Sequence, residues 1–444
     1  MSYFKRFIHF GCWNNSGCDD LGVEVKPTDT AMTRVIKQIK KNITLSKFRP
    51  EFMIIAGDNY YPIVKKDPLT KIKTKILDEH DLLSGFECLP KDLKKYLLLG
   101  NHDLEKLSNR VPESDAVAGP AMPSACQILD MQKELEEETT NNFEMDDLKN
   151  PLIMNTRITD STIIIMLDTS MYSNKDKNLK KVEDCYQRLF DIHGLDNPNG
   201  DTIKNVRELQ KKRVESFVET LTASRLKNVI VIGHHPLVCF STDEVKDKKT
   251  GLKTKETETL VMNELNNLYF NSIYSKLKKN KRINYFYLCA DLHQYQEGDI
   301  HMSKNSDPSD EVMIKQFIVG TGGSQLEDLD VDLGIIKPGQ EITKLDTITL
   351  NYNNVYNKGT YGFLDCLLTP DEEFNPIFVE ADMSNFNVKT FKGGYYSKGN
   401  NKFLNKTQKK MVNKSRTTYK KIYKHRKSYK KIKRKKSRHY NNRL

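Results

Sequence analysis

The sequence predicts an α/β protein whose strands form one mixed sheet, or two stacked sheets, with helices on the outside. Two observations carry this prediction. Apolar runs of strand length alternate with segments of helical periodicity along much of the chain. Several later strand-like runs follow one another without a helix between them, which a uniform βαβ array does not explain. The 444 residues allow one large domain with insertions as well as about two or three average domains.

The first elements are predicted to be a strand, a helix and a second strand. Phe7–Phe10 is an apolar run of strand length, and another such run ends at Gly57. Between them, after Pro27, apolar residues recur at steps of three and four, as in an amphipathic helix. These residues are Met32, Val35, Ile36, Ile39 and Ile43. The order predicts parallel strands whose C-terminal ends, and the loops that follow them, share one edge of the sheet.

The same helix-then-strand order recurs twice further along the chain. Helical periodicity over Val206–Leu221 precedes the strand before His234, and a second predicted helix, Leu260–Leu277, precedes the strand before Asp291. The remaining predicted strands are Ile163–Asp168, Gln316–Gly320, Thr347–Asn351 and Pro376–Glu380. We expect an inserted loop and helix at about residues 108–151 and an exposed, charged loop at Lys246–Thr259.

The net charge of +12 is divided unevenly along the chain. Residues 383–444 hold 22 of the 71 Lys and Arg residues and no Asp or Glu, so residues 1–382 carry 49 basic against 59 acidic residues. We therefore predict an acidic body, residues 1–394, and a basic tail, residues 395–444, that is disordered in isolation. The tail is expected to contact nucleic acid or another polyanion non-specifically. Its densest basic cluster is Lys430, Lys431, Lys433, Arg434, Lys435 and Lys436.

The eight cysteines are scattered, without a CxxC pair, which favours a reducing, intracellular setting in the cytoplasm or nucleus. The N-terminus lacks the pattern of a signal peptide, and no run of about 18 apolar residues occurs. We therefore expect a soluble, unsecreted protein without a transmembrane segment. The sequence does not predict the oligomeric state.

Polar side chains follow four predicted strands at the point where each strand ends. The four segments are Gly57–Tyr61, Gly100–Asp103, Gly233–Pro236 and Ala290–His293. Each supplies Asp, Asn or His, which are common metal ligands in proteins. Because loops after parallel strands gather at one edge of a sheet, these segments predict a metal site there.

The residue types match what hydrolysis of a phosphate ester requires. Two metal ions about 3.5–4 Å apart lower the pKa of bound water and hold the phosphoryl oxygens. Asp58 is the predicted bridging carboxylate, because Gly57 permits a tight turn before it. Asn101 can supply an amide oxygen as a further ligand, and His234 and His293 can each supply an imidazole nitrogen. This mixture suits Zn, Fe or Mn rather than Ca. His102 is the predicted general acid, with Asp103 orienting it.

In order and composition, the segments Gly57–Tyr61, Gly100–Asp103 and Gly233–Pro236 resemble the motifs of calcineurin-like metallophosphoesterases, specifically the purple-acid-phosphatase-like branch. Softer matches at Leu167–Thr169, Val319–Gly323 and Tyr361–Phe363 extend the resemblance over about residues 5–382. The resemblance implies a four-layer α/β/β/α sandwich with a dinuclear metal centre at one edge. By this resemblance, Asp58 would bridge the two metal ions. Tyr61 and His293 would bind the first ion, and Asn101 and His234 would bind the second. His102 would face the leaving group.

Two positions depart from the family pattern. Gly11-Cys12-Trp13 stands where that branch has Gly-Asp-Trp, and Ala290-Asp291-Leu292-His293 stands where the family has Gly-His-x-His. Thiolate and carboxylate are both good ligands, so Cys12 would favour Zn or Fe, and Asp291 would favour Mn or Mg. Alternatively, Cys12 is a small buried apolar residue and Asp291 caps a loop. Tyr61 could also merely wall the pocket.

Other residues near the motifs are given supporting roles. His235 and Asn59 are predicted to contact either the ligands or the substrate. His9, inside the first strand, is predicted to lie in the core, and Asp168 and Gly320–Gly323 to belong to the scaffold.

The sequence leaves three functions open. The first is a phosphomonoesterase in which hydroxide held by two metal ions attacks phosphorus. The second is a nucleotide or nucleic-acid phosphodiesterase that uses the same residues in a more open pocket. The third is a catalytically impaired binding protein of the same fold. This alternative rests on Cys12 and Asp291, the two positions that depart from the family pattern.

Overall fold

The computed structural model describes most of the chain up to residue 383. The described residues are 4–14, 22–61, 63–66, 73–76, 84–104, 143–145, 153–172, 176–193, 200–246, 253–278, 280, 282–305, 307–326, 341–345 and 348–383. The chain divides into a unit of Met1–Gly393 and a unit of Gly394–Leu444. The predicted tail lies outside the described residues, as does the predicted insertion except for residues 143–145.

Eighteen strands are assigned within the described residues. They are β1 Lys5–Phe10, β2 Phe52–Ala56, β3 Ile63–Lys66, β4 Lys73–Ile76, β5 Lys94–Leu98, β6 Phe143–Met145, β7 Ile153–Thr159, β8 Thr162–Leu167, β9 Asn228–Ile232, β10 Val238–Lys246, β11 Lys253–Val261, β12 Asn284–Cys289, β13 Tyr295–Lys304, β14 Val312–Val319, β15 Glu341–Leu345, β16 Ile348–Lys358, β17 Gly362–Leu368 and β18 Phe374–Glu380.

The helices are fewer and lie mainly between the parallel strands. They are α1 Ala31–Leu45, α2 Asn101–Leu104, α3 Asp176–His193, α4 Thr202–Glu219, α5 Asn263–Leu268 and α6 Ser275–Leu277, with a π-helical segment, Tyr269–Tyr274, joining α5 to α6. Short 3-10 turns occur at Ser170–Tyr172, Ala223–Arg225 and Pro308–Asp310. The side chain of Thr30 caps α1 by accepting a hydrogen bond from the backbone N–H of Thr33.

The strands form two large mixed sheets. The first has the order β18-β17-β1-β2-β5-β6, and the second has the order β15-β16-β13-β14-β12-β9-β8-β7. Parallel pairing joins β1, β2, β5 and β6 in the first sheet and β8, β9, β12 and β14 in the second. All five residues of β2 and of β9 are buried, as expected for strands covered on both faces. Each parallel set therefore directs its C-terminal ends, and the motif loops, to one edge of its sheet.

Aromatic side chains pack between the two sheets. The ring of Phe374 in β18 lies 4.7 Å from that of Phe286 in β12, and Phe378 stacks on Tyr295 of β13 at 4.0 Å between ring centroids. Helices flank the sheets: Asn42 of α1 donates a hydrogen bond to Asp365 of β17. The predicted arrangement of two mixed sheets flanked by helices is confirmed.

Three local expectations were wrong. The segment predicted as an exposed loop from Lys246 holds β11, which pairs with β10 in a two-stranded ribbon. The helix expected from Leu260 begins at Asn263, because Leu260 and Val261 belong to that ribbon. Cys88 and Cys185 are disulfide-bonded, against the expectation of reduced cysteines, whereas Cys12, Cys239, Cys289 and Cys366 are buried thiols.

Candidate metal centre

The motif loops of both sheets meet through backbone hydrogen bonds. The N–H of Gly11, after β1, donates to the carbonyl of Val319 at the end of β14 over 3.1 Å. The N–H of Cys12 donates to Gly57 after β2, also over 3.1 Å, and the N–H of Ala290 donates to His234 over 2.9 Å. The loops after strands of both sheets therefore form one continuous structure.

Three of the six non-glycine residues with a positive φ angle among the described residues lie in these loops. Cys12, Asp58 and Asp291 have φ angles of 54°, 50° and 59°, in the left-handed region that residues other than glycine rarely adopt. Such strain costs about 1–3 kcal/mol per residue and persists where the surrounding structure fixes it, often at functional sites. All three residues are predicted metal ligands, and each directly follows a strand and a small residue.

Glycine at position 100 permits the approach of the loops after β2 and β5. A Cβ atom there would lie 2.2 Å from the backbone nitrogen of Asp58 and 2.3 Å from its Oδ1. No side chain fits in that space. Asn101 therefore begins α2 directly beside the Asp58 loop, and the N–H of His102 donates a 3.0 Å hydrogen bond to Oδ1 of Asp58.

The carboxylate of Asp58 lies between two groups of potential ligands. Its Oδ2 lies 2.7 Å from the hydroxyl oxygen of Tyr61 and 4.0 Å from Sγ of Cys12. Its Oδ1 lies 3.3 Å from Nε2 of His234. The side chain is almost fully buried, so each oxygen faces a different group of protein donors rather than water.

The first group contains Cys12, Asp58 and His293, whose ligand atoms lie within 4.8 Å of one another. Nδ1 of His293 lies 2.7 Å from the carbonyl oxygen of Gln325, which can only accept, so Nδ1 carries the hydrogen and Nε2 is bare in the neutral ring. This Nε2 lies 2.9 Å from the hydroxyl oxygen of Tyr61. The single hydroxyl hydrogen of Tyr61 can satisfy either Asp58 or His293, but not both. The excess of lone pairs over hydrogens fits a metal cation.

The second group contains His234, His235 and Asp291, which meet the same 4.8 Å criterion. Nδ1 of His234 donates to the carbonyl oxygen of Ala56 over 2.7 Å, which leaves Nε2 as the bare nitrogen. That Nε2 is fully buried and makes no hydrogen bond within the described residues. It lies 3.3 Å from Asp58 and 3.6 Å from Oδ1 of Asp291, so a buried nitrogen and two carboxylates converge. This donor set also fits a divalent cation.

Thr169 fixes the orientation of both histidines after β9. Its hydroxyl oxygen accepts hydrogen bonds from the backbone N–H groups of His234, at 3.0 Å, and His235, at 2.9 Å. The same hydroxyl lies 3.2 Å from Nδ1 of His235 and can donate its own hydrogen to that nitrogen. Nε2 of neutral His235 then carries a hydrogen, which suits a hydrogen-bond donor better than a metal ligand.

The pKa shifts of Asp58 and His234 are those expected at a site that attracts a cation. Burial by itself would raise the pKa of the Asp58 carboxyl. The imidazoles of His234 and His102, with the Tyr61 hydroxyl, outweigh burial and lower that pKa to about 2. Burial likewise opposes charge on His234, but the carboxylates of Asp58 and Asp291 outweigh it and raise the pKa of His234. Two carboxylates that stabilise a proton on this nitrogen also attract a metal ion.

Burial favours the neutral forms of four further groups, those of His293, His235, Cys12 and Tyr61. Burial lowers the pKa of His293, and it lowers the pKa of His235 to about 4. Burial, followed by the charge of Asp58, raises the pKa of the Cys12 thiol well above its ordinary value, and the pKa of Tyr61 is raised in the same way. A thiol becomes a thiolate ligand only with loss of its proton, so metal binding at Cys12 would be coupled to proton release.

Asp103 connects the loops after β2 and β5. Its buried carboxylate accepts hydrogen bonds from the backbone N–H of Asn59, at 3.0 and 3.2 Å, and from that of Gly100 at 2.8 Å. The side-chain amide of Asn59 donates to the carbonyl of Leu98 at 2.8 Å. Through these contacts, Asp103 and Asn59 hold the two loops in position. That Asp103 orients His102, and that Asn59 contacts the ligands or the substrate, stay predictions.

The side chains of the candidate site differ in their exposure to solvent. Cys12, Asp58 and His234 are buried, whereas Tyr61, Asn101, His102, Asp291 and His293 are only partly buried. The ring of His102 lies 4.8 Å from that of Tyr61 between centroids. Tyr61 and His102 are thus neighbours among the partly buried side chains of the site.

Sequence reasoning missed several residues that hold the site together. Thr169 was noted only as part of a softer motif after β8, and Ser324, whose hydroxyl lies 3.4 Å from Nε2 of His293, was not singled out. The carbonyl groups of Ala56 and Gln325 set the histidine tautomers through the backbone, so no side-chain type signals their role. Two scaffold predictions agree with the contacts: the carboxylate of Asp168 accepts hydrogen bonds from Tyr186 and Ser170, and His9 is fully buried in β1.

The fold is thus an α/β protein with two mixed sheets and two groups of side chains that could each hold a metal ion. The sequence model of the calcineurin-like phosphoesterase family matches residues 5–295, so the chain belongs to this family, whose members use metal ions to hydrolyse phosphate esters.

Comparison with individual proteins adds little. No match is found among curated proteins. Eleven chains of known structure match, among them the structure of PhoD, with 9% sequence identity over 85% of this chain and 68% of that chain and a TM-score of 0.36. Among the described residues, no helix combines the length and the apolar character needed to span a membrane.

Proposed function

We propose that the protein is a phosphomonoesterase with a dinuclear metal centre of the purple-acid-phosphatase-like type. The observation that carries the proposal is the position of Asp58, whose Oδ2 faces Tyr61 and Cys12 and whose Oδ1 faces His234. A bridging carboxylate needs this division of its oxygens between two donor groups. The short distance from Asp58 to Tyr61 supports the purple-acid-phosphatase-like assignment in particular, because Tyr61 is the residue that the resemblance makes a ligand.

The two proposed metal positions have different donor chemistry. The first would be held by Cys12, Asp58, Tyr61 and His293, and the second by Asp58, Asn101, His234 and Asp291. A thiolate favours Zn or Fe at the first position, and the additional carboxylate favours a harder ion such as Mn at the second. When bound, two such ions lower the pKa of a water nucleophile and neutralise charge on the phosphoryl oxygens.

The other residues of the site position these groups and manage the leaving group. His102 is anchored to Asp58 through its backbone N–H and is only partly buried, so its ring is available to protonate the departing alkoxide. Asp103 holds the loops of Asp58 and Asn101 together through Asn59 and Gly100. His235 can donate a hydrogen bond from Nε2 to a phosphoryl oxygen, because Thr169 occupies its Nδ1.

The proposal is tested by metal analysis combined with turnover. The purified chain is loaded with Zn, Mn or Fe, the metal content per chain is measured, and p-nitrophenyl phosphate is assayed beside bis-p-nitrophenyl phosphate. We expect two metal ions per chain and faster turnover of the monoester. Asp58→Asn should lose metal and activity together, whereas the control Asp299→Asn, in β13, should keep both. Faster turnover of the diester would favour the phosphodiesterase. Absence of both metal and turnover would favour the binding protein.

We also propose that residues 1–394 form the catalytic domain and that residues 395–444 contact polyanions. The supporting observation is the sequence charge of the tail, in which basic residues occur without any acidic residue. Serine at Lys430, Lys431, Lys433, Arg434, Lys435 and Lys436 should weaken binding of a labelled oligonucleotide and flatten its salt dependence. Unchanged binding would contradict this role.

A further inference from the structure

The loop after β14 is tied through its backbone to two loops that supply proposed ligands. The N–H of Ser324 donates a hydrogen bond to the carbonyl of Cys12 over 3.0 Å. The carbonyl of the next residue, Gln325, accepts a hydrogen bond from Nδ1 of His293 over 2.7 Å. The backbone on both sides of the Ser324 side chain is therefore fixed against the first ligand group.

The side chain of Ser324 faces the ligand atom of His293. Its hydroxyl oxygen lies 3.4 Å from Nε2, the nitrogen that the hydrogen bond to Gln325 leaves bare. The same hydroxyl acts on Tyr61: burial raises the pKa of that phenol well above its ordinary value, and a side-chain hydrogen bond from Ser324 works in the opposite direction. Ser324 is only 2% exposed, so its hydroxyl lies among protein groups rather than in solvent.

The distances in this group match those between two ligands of one metal ion. Nitrogen and oxygen donors lie about 2.0–2.2 Å from an ion such as zinc, so two of them on one ion are about 3 Å apart at a right angle and about 3.4 Å apart at a tetrahedral angle. The hydroxyl oxygen of Tyr61 lies 2.9 Å, and that of Ser324 lies 3.4 Å, from Nε2 of His293. Each oxygen can therefore share an ion with that nitrogen.

A metal ion on His293 would remove the hydrogen-bond acceptor that Ser324 faces. The lone pair of Nε2 either accepts a hydrogen bond or binds a metal ion, and it cannot do both. A hydroxyl oxygen keeps lone pairs of its own. Because a buried polar group without a partner is costly, binding the same ion would restore a partner to the oxygen of Ser324.

Building on the proposed dinuclear centre, we propose that the hydroxyl oxygen of Ser324 is a fifth protein ligand of the first metal position and favours iron over zinc there. The other four ligands are those of Cys12, Asp58, Tyr61 and His293. Zinc in proteins usually keeps four ligands, so it gains little from a fifth. Iron accepts more than four and uses the additional oxygen. Geometry thereby offsets the stronger intrinsic affinity of such donors for zinc.

A thiol placed at position 324 tests direct contact with the metal. Ser324→Cys is compared with Ser272→Cys, which changes a buried serine of the π-helical segment whose hydroxyl donates to Glu215. Each full-length protein is freed of metal with a chelator and titrated with Co²⁺. The intensity of the near-ultraviolet thiolate-to-metal charge-transfer band is then measured. Both substitutions are also made in Cys12→Ser, so that position 324 is observed without the other thiolate.

We expect the band to reach about twice its wild-type intensity in Ser324→Cys, since two thiolates then bind one ion. In the Cys12→Ser background, Ser324→Cys should restore a band that Cys12→Ser alone lacks. Ser272→Cys should change the band in neither background. A band that stays at its wild-type intensity in Ser324→Cys, with none in the double variant, would overturn the inference.

Metal selectivity is measured with Ser324→Ala, which removes the oxygen without adding volume. The affinities for Fe²⁺, without oxygen, and for Zn²⁺ are determined from the displacement of Co²⁺ bound at Cys12, beside the control Ser272→Ala. The ratio of Zn²⁺ affinity to Fe²⁺ affinity should rise at least ~10-fold in Ser324→Ala, since even the loss of a group that only supports a ligand costs about 10- to 100-fold in metal affinity. An unchanged ratio would contradict the selection of iron.

Failure of this inference differs from failure of the proposed centre. If the wild-type protein binds no Co²⁺, the dinuclear centre fails, and Ser324 has no ion to bind. If the wild type binds Co²⁺ with a thiolate band, and neither the band in Ser324→Cys nor the metal selectivity of Ser324→Ala changes, the role of Ser324 fails and the centre stands.

Discussion

Oδ1 of Asp58 lies 3.3 Å from Nε2 of His234, although the two residues follow strands of different sheets. The hydrogen bond from Nδ1 of His234 to the carbonyl of Ala56 turns the bare nitrogen toward the carboxylate. Both side chains are buried, and neither can reach bulk water without a rearrangement of the loops. This pair joins the two halves of the candidate centre, so the proposed dinuclear site requires Asp58 more than any other residue.

Cobalt should report the thiolate directly. Cys12 lies with Asp58 and His293 in one ligand group, so Co²⁺-loaded protein should show a near-ultraviolet thiolate-to-metal charge-transfer band. Cys12→Ser should abolish that band. The control Cys366→Ser changes a buried free cysteine of β17 and should leave it intact. A band that survives in Cys12→Ser, or that is missing from the wild type, would show that Cys12 is a buried apolar residue instead.

His102 should matter most for substrates with poor leaving groups. If its ring protonates the departing alkoxide, His102→Asn should reduce kcat about 10²- to 10⁴-fold for an alkyl phosphate, and far less for p-nitrophenyl phosphate, whose anion leaves readily. The steady-state rates of both substrates are compared with those of His301→Asn, which changes a histidine of β13 paired with Glu311. Equal losses on both substrates would argue against the role of His102 as general acid.

Thr169 should stabilise the loop after β9. Thr169→Val removes the acceptor of two buried N–H groups, those of His234 and His235, and each unsatisfied group costs about 1–3 kcal/mol. We expect a lower free energy of unfolding in urea and weaker metal binding by competition with a chelator. Thr169→Ser keeps the hydroxyl and should remain near the wild type in both measurements. A valine variant with wild-type stability would contradict the contact.

The pH dependence of stability should contain a contribution from His9. Burial lowers the pKa of His9 to about 4, below its ordinary value of 6.5, although a hydrogen bond to the carbonyl of Cys289 opposes the shift. The unfolded chain binds this proton more readily, so stability is lost as pH falls from 6.5 toward 4, by up to about 3 kcal/mol. His9→Gln can keep the hydrogen bond without titrating. With both proteins measured free of metal, the slope of unfolding free energy against pH should be shallower in His9→Gln than in the wild type. An unchanged slope would contradict the lowered pKa of His9.

Much of the fold could be predicted because its signals are local. The run Val229–Ile232 is short and rich in β-branched residues, which indicates a buried strand, and the polar residue that follows such a run is read directly from the sequence. The ribbon of β10 and β11 was missed because Lys253–Val261 alternates Lys, Thr and Glu without an apolar face. Its strand conformation depends on pairing with β10, which periodicity does not report.

Some residues of the candidate site could likewise be predicted from the sequence, whereas other contacts could not. Asp58, His234 and His293 could be named from their motifs, because each follows its own strand. The contact of Asp291 with His234 and that of Ser324 with His293 depend on the pairing of β12 with β9 and with β14 in the second sheet. Sequence patterns within one strand do not show which strands will be neighbours. The disulfide-bonded state of Cys88 and Cys185 was missed for the same reason, since spacing along the chain does not give proximity in space.

The most direct test is a crystal structure of the metal-loaded protein with anomalous scattering measured at the absorption edge of each metal. We expect two anomalous peaks about 3.5–4 Å apart, with one oxygen of Asp58 on each ion. Cys12 and His293 should bind one ion, and His234 and Asp291 the other. A single peak, or two peaks that do not share Asp58, would contradict the dinuclear centre.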